Sequence, residues 1–235
     1  MATKNRILSI DIMRGLTLFL MLFVNDLYTA GVPKWMVHTA KMEDGMGLAD
    51  WVFPGFLFMV GLSIPFAFKA REKKGATPIQ LLSHILIRTF SLLLIGVFMV
   101  NLETYNTDLS LINKTLWAVL VYLFIFLIWN SYPKDHKFIK VFKGFKVVGI
   151  LGLLLMATLY RSGTSESIGW MSTSWWGILG LIGWGYLVSA LTYLWTKDRL
   201  VHIALVWLGF IVLNILAQTS YLDFLDSVKP LFGVI

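Results

Sequence analysis

Apolar residues run along this chain in long stretches, not in the short alternating pattern of half-buried strands or the one-sided stripe of soluble helices. Seven such runs are counted, over residues 7–30, 48–70, 81–103, 115–132, 147–161, 176–195 and 200–218. Most come near the roughly 20 residues an α-helix needs to cross a bilayer, and 147–161 is the shortest. Backbone groups facing lipid must be satisfied within the protein. The pattern therefore predicts an all-α, polytopic integral membrane bundle of about seven transmembrane helices, forming a single domain over 1–235.

Composition strengthens this reading. Hydrophobic residues make up 57% and charged residues 14% of the chain, against roughly 25% charged in a soluble domain. Mean hydropathy is +0.75. These residues do not supply the polar shell that a soluble core of this size requires. There is no cysteine, which excludes a disulfide framework, a thiol nucleophile and a Cys-based metal site, and no metal is expected. The short basic start (Lys4, Arg6) leads straight into an apolar run with no small-residue cleavage site. It reads as an uncleaved first helix rather than a signal peptide.

The net charge of +7 would suit nucleic acid as a partner, but its distribution points to membrane orientation instead. One alternate set of connections carries Lys4, Arg6, Lys69, Arg71, Lys73, Lys74, the lysines at 134, 137, 140, 143 and 146, Lys197 and Arg199, 13 in all. The other set carries five: Lys34, Lys41, Lys114, Arg161 and Lys229. This asymmetry predicts a cytoplasmic N-terminus and an outer C-terminus. The lysine run at 134–146 then reads as an orientation signal that meets anionic lipid, and nucleic acid is not expected as a partner.

Ionisable groups inside spans are costly and are functional candidates by default. The first span holds Asp11, Arg14 and Asn25. Arg14 and Asn25 differ by about 20° around a helix axis, and Asp11 lies about 60° from Arg14, one turn earlier. An Asp11–Arg14 pair is equally readable as a structural ion pair inside the bundle. The third span places His84, Arg88 and Ser91 on one face. A buried arginine there suits bidentate phosphate binding, or pairing with Asp11, and a lone His84 is more often a packing residue. The second span carries Asp50, Pro54, Gly61 and Pro65 near one face. Its prolines free carbonyls and kink the helix, which suits a ligand cavity or plain packing around Gly61.

The densest polar set falls on the predicted outer side: Asn25, Asp26, His38, Glu43, Asp44, Asp50, Asn101 and Glu103. A histidine among carboxylates beside an apolar pocket fits a general base or acyl acceptor. A solvated acidic loop with His38 at its surface fits the residues equally well.

Four stretches carry a family resemblance. RILSIDIMRGLTLFLMLFVND resembles the opening helix of the heparan-α-glucosaminide N-acetyltransferase family and its bacterial homologues. HTAKMEDGMGLADWVFPGFLFMVG resembles its histidine loop and aspartate–proline helix. RTFSLLLIGVFMVN matches its third helix in the spacing of arginine, glycine and the Val-Asn end, and WGILGLIGWGYLVSA resembles a later signature helix. The resemblance implies a membrane acyltransferase that moves an acetyl or other acyl group from cytosolic acetyl-CoA to a sugar amine or hydroxyl on the extracytoplasmic side. By residue it implies His38, Asn25 and Asp50 as catalytic. Arg14 and Arg88 fall on the family's arginines, which together with Asp11 and His84 would meet the acyl-CoA. The acidic residues Asp26, Glu43 and Asp44, with Asn101 and Glu103, would meet the saccharide acceptor. The implied setting is the inner (cell) membrane, and a homo-oligomer stays open.

There are departures. Glu43, Asp44 and Gly45 stand where the family has Trp-Asn-Gly after the histidine, and Gly180 and Leu181 replace a Gln-Arg pair. Family members carry more helices than the seven counted here, so a C-terminally shortened homologue is expected. The alternative class is a small-molecule transporter or non-catalytic membrane protein on the same scaffold.

The orientation is directly testable, because the chain has no native cysteine. A Lys140→Cys variant should react with a membrane-impermeant thiol reagent only after the cells are opened. Labelling from the outer side of intact cells would overturn the map.

Overall fold

The computed structural model describes residues 7–40, 43–133, 137–219 and 221. Lys4, Arg6, Lys41, Lys134 and Lys229, all counted in the charge map, lie outside the described residues. Seven α-helices follow in order: α1 (Leu8–Asn25), α2 (Leu48–Glu72), α3 (Pro78–Asn101), α4 (Lys114–Trp129), α5 (Ile139–Leu159), α6 (Gly177–Thr196) and α7 (Leu200–Gln218). A two-stranded antiparallel hairpin, β1 (Ser162–Thr164) and β2 (Ser167–Gly169), joins α5 to α6. The chain is therefore an all-α polytopic membrane protein.

Six of the helices have at least 18 residues and are apolar enough to cross a membrane. The exception is α4, whose 16 residues reach only about 24 Å. The apolar pattern anticipated the fifth span as the short one, starting at 147. The helix instead starts at Ile139 and has 21 residues, so Lys140, Lys143 and Lys146 belong to its first turns rather than to a loop. Long lysine stems can lie along a helix while their ammonium groups reach water, which hides a helix start in a charge run. The first span also ends earlier than the apolar run, at Asn25. Beyond it the chain makes two short 3₁₀ turns, Thr29–Gly31 and Lys34–Met36, around Pro33. α2 runs unbroken through both Pro54 and Pro65.

The helices pack sparsely. None of the apolar window of α7 is buried, and only 6% of that of α1. Leucine, isoleucine and phenylalanine side chains cover this outward surface (Phe19, Leu22, Phe58, Ile87, Leu205). Such a surface is far beyond what a water-soluble monomer exposes and is what lipid requires.

The chain divides into two compact units. The first holds α1, α2, the part of α3 up to Thr89, and the stretch from Trp184 to Ile211 in α6 and α7. Its core joins Ile64 and Phe68 of α2, Leu81 and Ile85 of α3, and Tyr186 and Ala190 of α6. The second unit centres on an aromatic cluster in which Trp117 packs against the tilted rings of Tyr105 and Tyr160 and stacks with Phe98, at centroid distances of 5.2, 5.7 and 6.2 Å. The Trp117 indole N–H donates to the Met156 carbonyl at 3.0 Å, so this buried polar group has its partner.

Two glycines of α5 let it approach α4 closely. A Cβ on Gly152 would lie 2.4 Å from the Phe124 ring, and one on Gly149 would lie 2.7 Å from Ile128. By contrast, Gly144 has nothing within 4 Å of such a Cβ. Gly152→Ala should therefore lower thermal stability in detergent through overpacking, by about 1–3 kcal/mol. Gly144→Ala in the same helix should be neutral or stabilising, since alanine relieves the conformational cost of glycine. Equal unfolding temperatures for the two variants would contradict the packing described.

Candidate functional site

The 38–50 segment folds back on the start of α2. Gly47 is the N-cap and Asp50 the third helical residue, a spacing that lets an acidic side chain reach back to the N-cap backbone. The Gly47 N–H donates to Asp50 Oδ2 at 2.8 Å and also to Thr39 Oγ1 at 2.9 Å. A Cβ at position 47 would fall 1.9 Å from the carbonyl oxygen of Val37. Glycine is therefore required there for close approach of two backbones.

This arrangement turns the Asp50 carboxylate towards the loop. Oδ2 also accepts from the Thr39 N–H at 3.0 Å and the Thr39 hydroxyl at 2.9 Å. Oδ1 meets His38 Nδ1 at 2.6 Å. An ionised carboxylate only accepts hydrogen bonds, so Nδ1 must carry the proton. In the neutral ring, Nε2 then presents its lone pair. The His38 side chain is 70% exposed and that of Asp50 only 24%. An oriented, accessible imidazole held by a carboxylate is the arrangement of a general base or a nucleophile.

Among the described residues, no hydrogen bond or ion pair ties the His38 side chain to the other polar residues expected beside it. Asn25 ends α1, Asp26 follows it, and both are exposed with no side-chain hydrogen bond among the described residues. Glu43 and Asp44 are exposed in a bend. Thr39 and Gly47 are the additional members. Gly47 was legible as an N-cap three residues before Asp50, whereas Thr39 has no signal beyond its place next to His38.

A second polar group gathers where α2 and α3 adjoin. Arg71 Nη2 donates to His84 Nε2 at 2.8 Å, so the ring must accept there. The Arg88 guanidinium lies over the Tyr186 ring at 4.7 Å from its centroid. Neither arginine has a carboxylate partner among the described residues. Arg71 and Tyr186 are the members the sequence pattern did not single out. The Asp11 carboxylate pairs instead with Arg14 at 3.9 Å, with both side chains about half exposed. This is the local pairing that the helix spacing allowed.

Asn101 and Glu103 belong to the second unit. Asn101 is buried. Its amide donates to the carbonyls of Val97 and Ser172 and accepts from the Ser172 N–H. It thereby clamps the chain entering α6, with both of its N–H groups engaged. Glu103 is exposed. No cluster of three or more histidine, aspartate or glutamate side chains suited to a metal ion occurs among the described residues.

The clash at Gly47 gives a test of the His38 arrangement. Gly47→Ala should push the Val37 carbonyl away and separate His38 from Asp50. Thermal stability should fall by about 1–3 kcal/mol, and His38 should lose its oriented state. An unchanged histidine NMR spectrum in this variant would contradict the described contact.

Residues 6–222 match a family model described as "Domain of unknown function (DUF5009)". Over 100 residues the chain is 38% identical to mouse heparan-alpha-glucosaminide N-acetyltransferase, covering 43% of this chain and 15% of the mouse protein. The human enzyme of the same name is 38% identical over 100 residues, or 14% of its length. No solved structure matches. The chain, a multi-pass membrane protein similar over 100 residues to heparan-α-glucosaminide N-acetyltransferase, belongs to the DUF5009 family.

Proposed function

We propose that this protein is a membrane-embedded acyltransferase that takes an acyl group, acetyl in the first instance, from acyl-CoA and delivers it to a sugar amine or hydroxyl. The observation that carries the reading is the 2.6 Å contact between His38 Nδ1 and Asp50, which frees Nε2 for chemistry in a family similar to an N-acetyltransferase. In the direct route, Nε2 takes the proton from the acceptor N–H or O–H as that atom bonds to the thioester carbonyl. The C–S bond breaks, CoA leaves as thiolate, and the imidazolium returns the proton to it. In the acyl-histidine route Nε2 itself bonds to the carbonyl carbon and releases the thiolate; the acceptor then bonds to that carbon, displaces the neutral imidazole and gives up its proton to the thiolate. Asp50 stabilises the positive ring in either case. Asn25 is assigned to the thioester carbonyl oxygen.

The donor enters from the cytoplasm. Its phosphates are assigned to Arg88, His84 and Arg71, whose two guanidinium groups lack a carboxylate partner among the described residues, and Asp11 and Arg14 lie along the same route. Arginine suits phosphate because its planar fork presents paired donors. On the extracytoplasmic side, Asp26, Glu43 and Asp44 supply negative charge for an amino sugar. The protein sits in the cell (inner) membrane with its N-terminus inside.

Two variants separate these roles in purified protein reconstituted in lipid and assayed with acetyl-CoA against a panel of sugars. His38→Ala should lower turnover by about 10²–10⁴-fold with acyl-CoA affinity and folding retained, since the side chain is exposed and leaves no core cavity. Arg88→Leu should weaken acyl-CoA binding by about ten- to a hundredfold with little effect on acceptor KM. A wild-type protein that turns over together with an equally active His38→Ala variant would contradict the assignment. Sugar flux across the vesicle membrane without acyl transfer would instead establish a transporter.

A further inference from the structure

The first unit contains a cleft of about 290 Å³ between α2, α6 and α7, lined by none of the residues assigned to chemistry. Gly61 and Ile64 of α2, Val188 of α6, and Val206, Trp207 and Phe210 of α7 line it. Its walls are almost wholly apolar, with Ser189 and Thr192 as minor polar contributions. Trp207 is 65% and Phe210 48% exposed at the rim, so the cleft opens to the surroundings of the helices. At membrane depth such a space must be filled. Water needs two to four polar partners, which these walls do not offer, whereas a hydrocarbon chain needs none.

One end of the cleft has a different character. Tyr193 lines both the cleft and an adjoining smaller pocket formed by Lys69, Glu72, Lys197 and Asp198. Lys69 Nζ lies 3.1 Å from Asp198 Oδ1, to which the Tyr193 hydroxyl also donates at 3.2 Å. Lys69 beside it holds the Asp198 carboxyl below the usual carboxylate range, so the negative charge of Asp198 is committed to these partners. Lys197, which lines that pocket, and Arg199 have no ion pair among the described residues, and Lys73 and Lys74 just past the end of α2 outnumber Glu72. The α2 end and the α6–α7 connection at this end of the cleft therefore carry more basic than acidic residues, with Lys197 in the pocket itself. Gly61 and Lys69 are separated by about 12 Å along α2, which suits a fatty chain with an anionic head.

We propose that this cleft binds an anionic glycerophospholipid, with one acyl chain between α2, α6 and α7 and its phosphate against Lys197 and Arg199. This site is independent of the acyl-transfer reading and of His38. A bound lipid would complete the thin packing of α7, whose apolar window is otherwise unburied.

Native mass spectrometry of the full chain in detergent tests this, with equimolar phosphatidylglycerol and phosphatidylcholine of matched chains as probes. The wild-type protein should retain phosphatidylglycerol preferentially. Gly61→Leu should lose retention of both lipids, because its side chain enters open space, with nothing within 4 Å of the added Cβ, and occupies the groove without a clash. Lys197 has a φ of 49°, a conformation that asparagine tolerates. A Lys197→Asn, Arg199→Gln double variant should keep chain binding while the preference for phosphatidylglycerol falls by about fivefold per basic residue removed. Melting temperatures equal to that of the wild type in lipid-free detergent would show that both variants fold. Equal retention of the two lipids by the wild type, unchanged binding by Gly61→Leu, or a lipid-free dimer that buries the cleft would each overturn the proposal.

Discussion

The Asp50 carboxylate does two things at once, and the candidate site depends on their coincidence. It accepts the N-cap N–H of α2, next to the positive end of the helix dipole, and it accepts the Nδ1 proton of His38. The first contact fixes where α2 begins and the second fixes which ring nitrogen is left free. Thr39 binds the same oxygen through both its N–H and its hydroxyl, and Gly47 allows the backbone crossing that brings the loop there. An exposed loop histidine is thereby given one orientation by an element anchored in the bilayer. Sites mounted on a rigid element in this way keep the geometry that catalysis needs.

The bilayer imposes the remaining architecture. Lipid tails are as apolar as leucine, so helices associate through close packing and satisfied polar groups rather than through expulsion of water. Both devices are present in the second unit. Gly149 and Gly152 seat α5 against α4, and Asn101 ties the end of α3 to the segment that leads into α6. In the first unit α2, α3 and α6 share an apolar core, and α7 adds little buried surface. Polar side chains in such a protein therefore divide between anchoring the structure and serving chemistry, and only their contacts tell them apart.

This division explains how far the sequence could be read. Apolar run length gave the seven helices, because a bilayer leaves backbone almost no other choice. Boundaries were less legible where charge and helix overlap: the lysines at 140, 143 and 146 read as a loop but belong to α5. Asp11 and Arg14 were legible as a pair because helical spacing is local. The Arg71–His84 contact spans 13 positions between two helices, and nothing in a linear pattern marks it. Asn101 shows the opposite difficulty. Its position suggested an acceptor-side role, while its buried amide is engaged in holding backbone. His38 and Asp50 were placed by family resemblance, but their direct contact, and hence the identity of the free nitrogen, is a three-dimensional fact.

The most direct test of this account is the tautomer of His38. ¹⁵N-histidine NMR of the protein in lipid nanodiscs, recorded above the titration range of imidazole, reports which nitrogen carries the proton. The chain has four histidines, and the His38 signals are identified as those that vanish in a His38→Ala variant. The account predicts a protonated Nδ1 and an unprotonated Nε2, a pattern that shifts when Asp50 is replaced by asparagine. A His38 ring protonated at Nε2, or one averaging between tautomers with no response to the Asp50 substitution, would contradict it.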